Sequence, residues 1–298
     1  MMRCAATVVA LSALIGGSEG LVVPLAATRP SASLSGVSLP RVSDGEQIDV
    51  GAALAATAAG GKTMIVLGTH AGDFNMVEYA QRVRFFWQQL RDKGVDRCVM
   101  VVNGEASSCQ QLAQLVDLPD AVELLADPTG EAGRRFGVSR GFRPDDAALS
   151  PNAKLFVVGI GLGPPWGTLP AVLAGYLGDP NGRREWIEAA LLQGQRAGRW
   201  PAVLELAADG SVAKNKFDDF PLLGTSWGRR PLELATLRLQ NLIGIQIGHW
   251  GALKPVDDRC LTQLGGCAVV GPAGEPLYSW VDRGLCDVPD MHELLDAI

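Results

Sequence analysis

Histidine is scarce in this chain, three residues among 298, and no pair of them or mixture with cysteine has the close spacing that zinc sites use. The composition therefore predicts no metal and no other bound cofactor. Basic residues are also in deficit: 26 Lys and Arg against 32 Asp and Glu leave a net charge of −6 and a pI near 5.2. Without a basic face to displace counterions from phosphates, nucleic acid is excluded as a partner. A dinucleotide fingerprint is lacking too, because Gly159-Ile160-Gly161-Leu162-Gly163 runs into Pro164-Pro165 where the fingerprint needs a helix. No Ser, His and Asp residues suggest a triad, and no internal repeat is present. One absence is local. The loop Gly68-Thr69-His70-Ala71-Gly72-Asp73-Phe74-Asn75, which follows the first core strand, contains no cysteine.

What is present describes a loop-rich globular chain: 47% hydrophobic and 19% charged, with 36 Gly and 18 Pro, and long enough for a substantial core. The seven tryptophans are scattered and read as packing residues. Residues 1–20 carry Arg3, an apolar run from Ala5 to Ile15, and small residues around Gly16-Gly17-Ser18, the pattern of a signal peptide. Residues 21–43 hold Arg29 and Arg41, five serines and no acid, the composition of a transit segment. Together they resemble the bipartite leader of a secondary plastid and predict a chloroplast or plastid location, stromal or thylakoid-associated, although Leu21 stands where such leaders favour an aromatic residue. Ordinary secretion is the competing reading. Loss of residues 1–43 leaves 23 basic and 31 acidic residues, a net charge of −8.

From residue 44 the pattern alternates. An alanine-rich helix over residues 51–60 precedes the apolar run Thr63 to Gly68, which suits a strand buried on both faces. Apolar residues at helical spacing mark a helix from Asn75 to Leu90, with Asp73 as its N-cap. A second buried strand covers Cys98–Val102. Ser107 and Gln110 suggest a capping box for a helix over residues 108–116. A third strand spans Val122–Ala126 and a short helix Glu131–Phe136. Near the end, Cys267–Gly271 and Leu277–Val281 flank a Pro/Gly loop as an antiparallel hairpin, and Asp290 caps a final helix. The order β-α-β followed later by β-β-α is α/β of thioredoxin-like type, a sheet flanked by helices.

The middle, residues 141–258, is too long for a loop and is expected to form a helical insertion between residues 44–140 and 259–298. Its stretch Leu155 to Leu177 has no charge over 23 residues. Pro164, Pro165 and Pro170 break that stretch, so a buried or membrane-surface hairpin is expected rather than a span. Amphipathic helices are expected over residues 183–194 and 231–247. So much apolar surface needs a partner: the core itself, or a thylakoid membrane or membrane complex touched through residues 155–177 and 231–247.

Several stretches carry a family resemblance. Leu125-Ala126-Asp127-Pro128-Thr129-Gly130-Glu131 with Arg135-Phe136-Gly137-Val138, and Gln263 to Gly271 with Glu275-Pro276-Leu277-Tyr278, resemble the third strand and terminal hairpin of peroxiredoxin-like proteins of the alkyl hydroperoxide reductase/thiol-specific antioxidant superfamily. Ser139 to Asp145 and Trp227 to Glu233 are similar to its cyanobacterial and plastid branch. The resemblance covers about residues 40–298 and implies a thiol redox or antioxidant role, with thioredoxin or another thiol protein as partner. It also implies a reactive thiol at the first turn of the helix after strand one. Here Thr69, Asp73 and Asn75 occupy that loop, a degenerate site in which a carboxylate can neither attack peroxide oxygen nor form a disulfide.

Six cysteines exist, and Cys4 lies in the leader. Cys98 reads as a core residue and Cys109 as an inert thiol in a first helical turn. Cys260, Cys267 and Cys286 crowd around the terminal hairpin and are the candidate redox thiols. A structural or regulatory disulfide among them, a catalytic dithiol and free buried thiols all remain open, because a bond requires Cα atoms within about 7 Å. Two functions follow: a plastid thiol oxidoreductase working through these cysteines, for which conventional peroxidase chemistry is disfavoured, or a non-catalytic thylakoid-associated scaffold that uses the insertion.

Overall fold

The computed structural model describes residues 30–55, 61–160, 204–206, 212–215 and 242–298. In chain order the elements are α1 (Pro30–Ser33), β1 (Ser38–Pro40), β2 (Gln47–Asp49), α2 (Val50–Ala55), β3 (Lys62–Leu67), α3 (Phe74–Asp92), β4 (Val95–Val102), α4 (Ala106–Val116), β5 (Val122–Ala126), α5 (Glu131–Phe136) and α6 (Pro151–Ile160). After them come β6 (Leu204–Leu206), β7 (Val212–Asn215), α7 (Trp250–Leu253), a 3-10 turn at Asp258–Cys260, β8 (Gly266–Val270), β9 (Pro276–Val281) and α8 (Met291–Ala297). Residues 242–248 are also helical.

The central sheet has the order β5-β4-β3-β8-β9. β3 pairs in parallel with β4, and β4 with β5, while β8 runs antiparallel to both β3 and β9. This is the expected thioredoxin-like arrangement: a parallel half built by crossover helices and a hairpin that closes the other edge.

Strand alternation divides the core. Met64, Val66, Met100, Val102, Cys267 and Val269 face α3, α4 and α8, where Met76, Tyr79, Val83, Phe86, Leu112 and Leu294 complete one cluster. Ile65, Leu67, Val99, Val101, Ala268 and Val270 face the other way, onto Leu34, Val37, Leu39, Val50, Leu54 and Ala132. Both faces of the sheet are thus covered, which is why its strands read as unbroken apolar runs.

The second layer shifts the N-terminal boundary read from sequence. Residues 30–42 look like leader by composition, yet Leu34 and Val37 are fully buried, and Arg41 joins β5 through a bridge to Leu125 and a 2.8 Å bond from Nε to Glu123 Oε1. A boundary at residue 43 would strip this layer from the sheet. The described fold begins at Pro30 instead.

One other expectation is corrected. The helix after β4 begins at Ala106, not residue 108, and the capping box does not form: Glu105 holds the N-cap without a side-chain bond, and Ser108 Oγ donates back to the Glu105 carbonyl at 2.8 Å. Within the middle region, β6 and β7 pair antiparallel, a strand pair that a search for helical apolar stripes does not find. The predicted helix over residues 183–194 lies outside the described residues, as do residues 161–177 and 231–241. Leu155 to Ile160 lie in α6. No helix among the described residues is long and apolar enough to cross a membrane.

Candidate functional site

β3 delivers the chain into the Gly68–Asn75 loop at the edge of the sheet where β4 and β5 also end, the position at which open α/β sheets usually form sites. Asp73 caps α3, accepting from Asn75 N at 2.9 Å and from Thr69 Oγ1 at 2.7 Å. The cap is thus formed by the residue that sequence assigned to it, and Thr69, Asp73 and Asn75 make one connected unit.

Asn75 extends that unit across the fold. Its Nδ2 donates to Asp282 Oδ2 at 2.6 Å and to the Gly284 carbonyl at 3.0 Å, and its Oδ1 accepts the Cys286 N–H at 2.6 Å. Tyr79, one helical turn further along α3, donates its hydroxyl to Asp282 Oδ1 at 2.7 Å. Asp282, immediately after β9, is therefore the hub that joins α3 to the C-terminal turn. Its fully buried carboxyl is pushed up to about 8, by desolvation first, against the pull of the Tyr79 and Asn75 hydrogen bonds and with the Asp287 and Asp73 charges adding to the rise. Gly265 makes room for it. A Cβ there would lie 2.9 Å from both Asp282 Oδ2 and the Leu67 carbonyl, closer than real contacts allow.

A second wall comes from the end of the insertion. Gly72 N donates to the Leu253 carbonyl at 3.1 Å, which ties the loop to α7. His70 sits behind α7 with no solvent exposure, its ring edge-on to Trp250 with centroids 5.8 Å apart. Neither ring nitrogen finds a partner of good hydrogen-bond geometry, although the Leu253 carbonyl, which accepts from Gly72, lies close enough to favour the charged ring. Burial holds the His70 pKa below its usual value, and burial likewise raises that of Asp73, each opposed by the charge of the other. Asn103, whose N–H donates to the Thr69 carbonyl at 3.0 Å, leaves its side-chain nitrogen unpaired beside the same loop.

The three C-terminal cysteines occupy different places. Cys260 lies in the 3-10 turn, its thiol 3.8 Å from the Pro128 carbonyl and close against Gly130. Cys267 lies in β8 opposite Val66, beneath Tyr79. Cys286 alone is bonded to the opening loop, through its backbone, and it holds φ at 63°, a left-handed conformation unusual for a residue with a side chain. None of the five described cysteines is in a disulfide. Desolvation pushes Cys98, Cys109 and Cys260 up to about 12, and Cys267 higher still. Cys286 is 6% exposed, whereas the other four show none.

The sequence reading therefore located the loop and its cap but missed Asp282, Tyr79 and His70. An aspartate just after a strand and a tyrosine in an apolar helix stripe carry no signal of their own. Among the described residues no cluster of His, Cys, Asp and Glu could hold a metal.

The arrangement can hold protons and fix loop geometry, but it presents no thiol at the head of α3. Comparison with known sequences places the chain. The model of the AhpC/TSA antioxidant enzyme family matches residues 83–284, more than half of the chain, beginning inside α3 after the cysteine-free loop. No curated protein and no solved structure matches it. With the sheet order of a thioredoxin-like fold and this match over β4, β5 and the hairpin, the chain belongs to the AhpC/TSA antioxidant enzyme family as a peroxiredoxin-like protein.

Proposed function

We propose that this is a plastid thiol-redox protein that works without a peroxidatic cysteine, its thiol chemistry carried by the C-terminal cysteines and foremost by Cys286. One observation carries the choice: Asn75 of the cysteine-free loop bonds Cys286 N at 2.6 Å, so of Cys260, Cys267 and Cys286 only Cys286 is hydrogen-bonded to the degenerate loop. In thiol–disulfide exchange the Cys286 thiolate attacks one sulfur of a partner disulfide; a mixed disulfide forms, and the other partner sulfur leaves as thiolate. Thioredoxin or another thiol protein would supply that disulfide. The leader-like residues before Pro30 support the plastid address. The experiment is reduction of a protein disulfide with excess glutathione, whose thiol releases Cys286 from the mixed disulfide, in Cys286→Ser against Cys260→Ser and Cys267→Ser: loss in the first alone supports the reading, and unchanged turnover in all three overturns it.

A second reading has its own observation. Phe156, Val157, Ile247 and Val256 are large apolar residues exposed on the two ends of the middle region, a surface suited to holding a thylakoid component without catalysis. Co-sedimentation with thylakoid membranes that is lost in a Phe156→Ser, Ile247→Ser, Val256→Ser triple variant supports this reading; a wholly stromal protein contradicts it.

A further inference from the structure

A cavity of about 710 Å³ opens between the first turns of α4 and the segment that returns from the insertion. That volume falls within the range of small-molecule sites. Three charged side chains line it: Glu105, Asp258 and Lys254. Glu105 stands at the N-cap of α4 without bonding a helix amide. None of the three forms a hydrogen bond or ion pair through its side chain with a described residue, and Lys254 pairs with neither acid although all border one space. Charges of opposite sign are thus left available together. Trp250 and Val256 supply flat and apolar lining beside them.

Trp250 links this cavity to His70. The indole lines the cavity and also meets the His70 ring edge-on at 5.8 Å. Neither nitrogen of that fully buried imidazole has a partner of good hydrogen-bond geometry. An unpaired buried polar group is costly, and Trp250 touches both that group and the cavity.

We propose that this cavity binds a small zwitterionic peptide with an apolar side chain, its ammonium held by Glu105 and Asp258 and its carboxylate by Lys254. The apolar side chain lies on Trp250, and a shift of the indole lets His70 take a hydrogen bond from the peptide. The inference does not depend on thiol chemistry, so it stands or falls separately from the role of Cys286.

The test is calorimetric titration of the full-length chain with L-phenylalanylglycine, its N-acetyl form and its C-terminal amide. Acetylation should weaken binding about five-fold, the worth of roughly one exposed ion pair, and should have no effect in the Glu105→Gln, Asp258→Asn double variant. Amidation should weaken it about five-fold and have no effect in Lys254→Met. Trp250→Phe should retain binding that Trp250→Ala loses, and the His70 nitrogen resonances should shift on saturation in the unaltered chain. Absence of binding, or equal affinity for all three peptides, overturns the site. Binding with unmoved His70 resonances overturns the part played by the indole.

Discussion

Asn75 and Cys286, 211 positions apart in sequence, are joined by a 2.6 Å hydrogen bond from the Cys286 amide to the Asn75 side-chain oxygen. The same side chain also donates to Asp282 and to the Gly284 carbonyl, so a single amide satisfies three groups of the C-terminal turn. Asn75→Ala should lower unfolding free energy by roughly 3 kcal/mol, because it leaves buried polar groups unpaired. Urea denaturation measures the loss. A change below about 0.5 kcal/mol would show that the turn does not depend on this side chain.

Native thiol labelling should be ordered. Cys286 should react with a maleimide first, since the other four described thiols have no exposed surface and burial keeps Cys98, Cys109, Cys260 and Cys267 protonated. Peptide mass spectrometry at timed intervals gives the order. In Asn75→Ala the Cys286 rate should rise further, and Cys267 should remain unlabelled until the protein unfolds.

The two carboxylates that bracket the fold predict opposite pH limbs. The Asp282 pKa is raised by burial to about 8, so the folded state holds a proton that the unfolded chain has released above about 4. Stability from this group is complete below the unfolded value and falls as pH rises towards 8, by at most about 1.4 kcal/mol per pH unit. Asp282→Asn should flatten that limb, since an amide can accept from Asn75 while donating to the Tyr79 oxygen. Glu123 behaves in the reverse sense. Desolvation raises its pKa, but the Arg41 and Arg97 hydrogen bonds outweigh this and hold it below the usual value, so its contribution is lost as pH falls through that lowered range. Glu123→Gln should flatten the acid limb only. Thermal melts from pH 3 to 9 separate the two.

Removal of residues 1–29 should leave a folded protein, whereas removal of residues 1–43 should not. The second cut deletes Leu34, Val37 and Leu39 from the layer under β3, each worth about 1.5–3 kcal/mol of burial, which together approach the whole stability of an ordinary domain. Circular dichroism of the two truncations checks this. The N-terminus of the mature protein, read by mass spectrometry, should fall before Pro30.

The parts of this architecture that were legible in sequence were those in which one physical signal dominates. Strands covered on both faces show as uninterrupted apolar runs, and β5 and α5 have the bounds that their sequence predicts. Asp73 was legible because an aspartate ahead of a helical stripe has one common use. The N-terminal layer was not, because serine, arginine and few acids describe a transit segment and a short packed strand equally well. Asp282 and His70 were invisible for another reason: their meaning comes from Asn75, Tyr79 and Trp250, which meet them only after the chain has folded. Nor could spacing decide among the cysteines. Cys260 and Cys267 are close in sequence to each other, yet the residue bonded to the loop is Cys286.

The position of β3 in the sheet also sets an order of events during synthesis. Its parallel partner β4 follows within a few tens of residues, but its antiparallel partner β8 is about 200 residues further on, beyond the whole middle region. A nascent chain that has reached α6 carries a largely apolar, buried strand with one hydrogen-bonding edge bare. Until β8 arrives, that edge is open to any other extended chain, so the length of the insertion governs how long this protein is vulnerable to mispairing on its way to the native sheet.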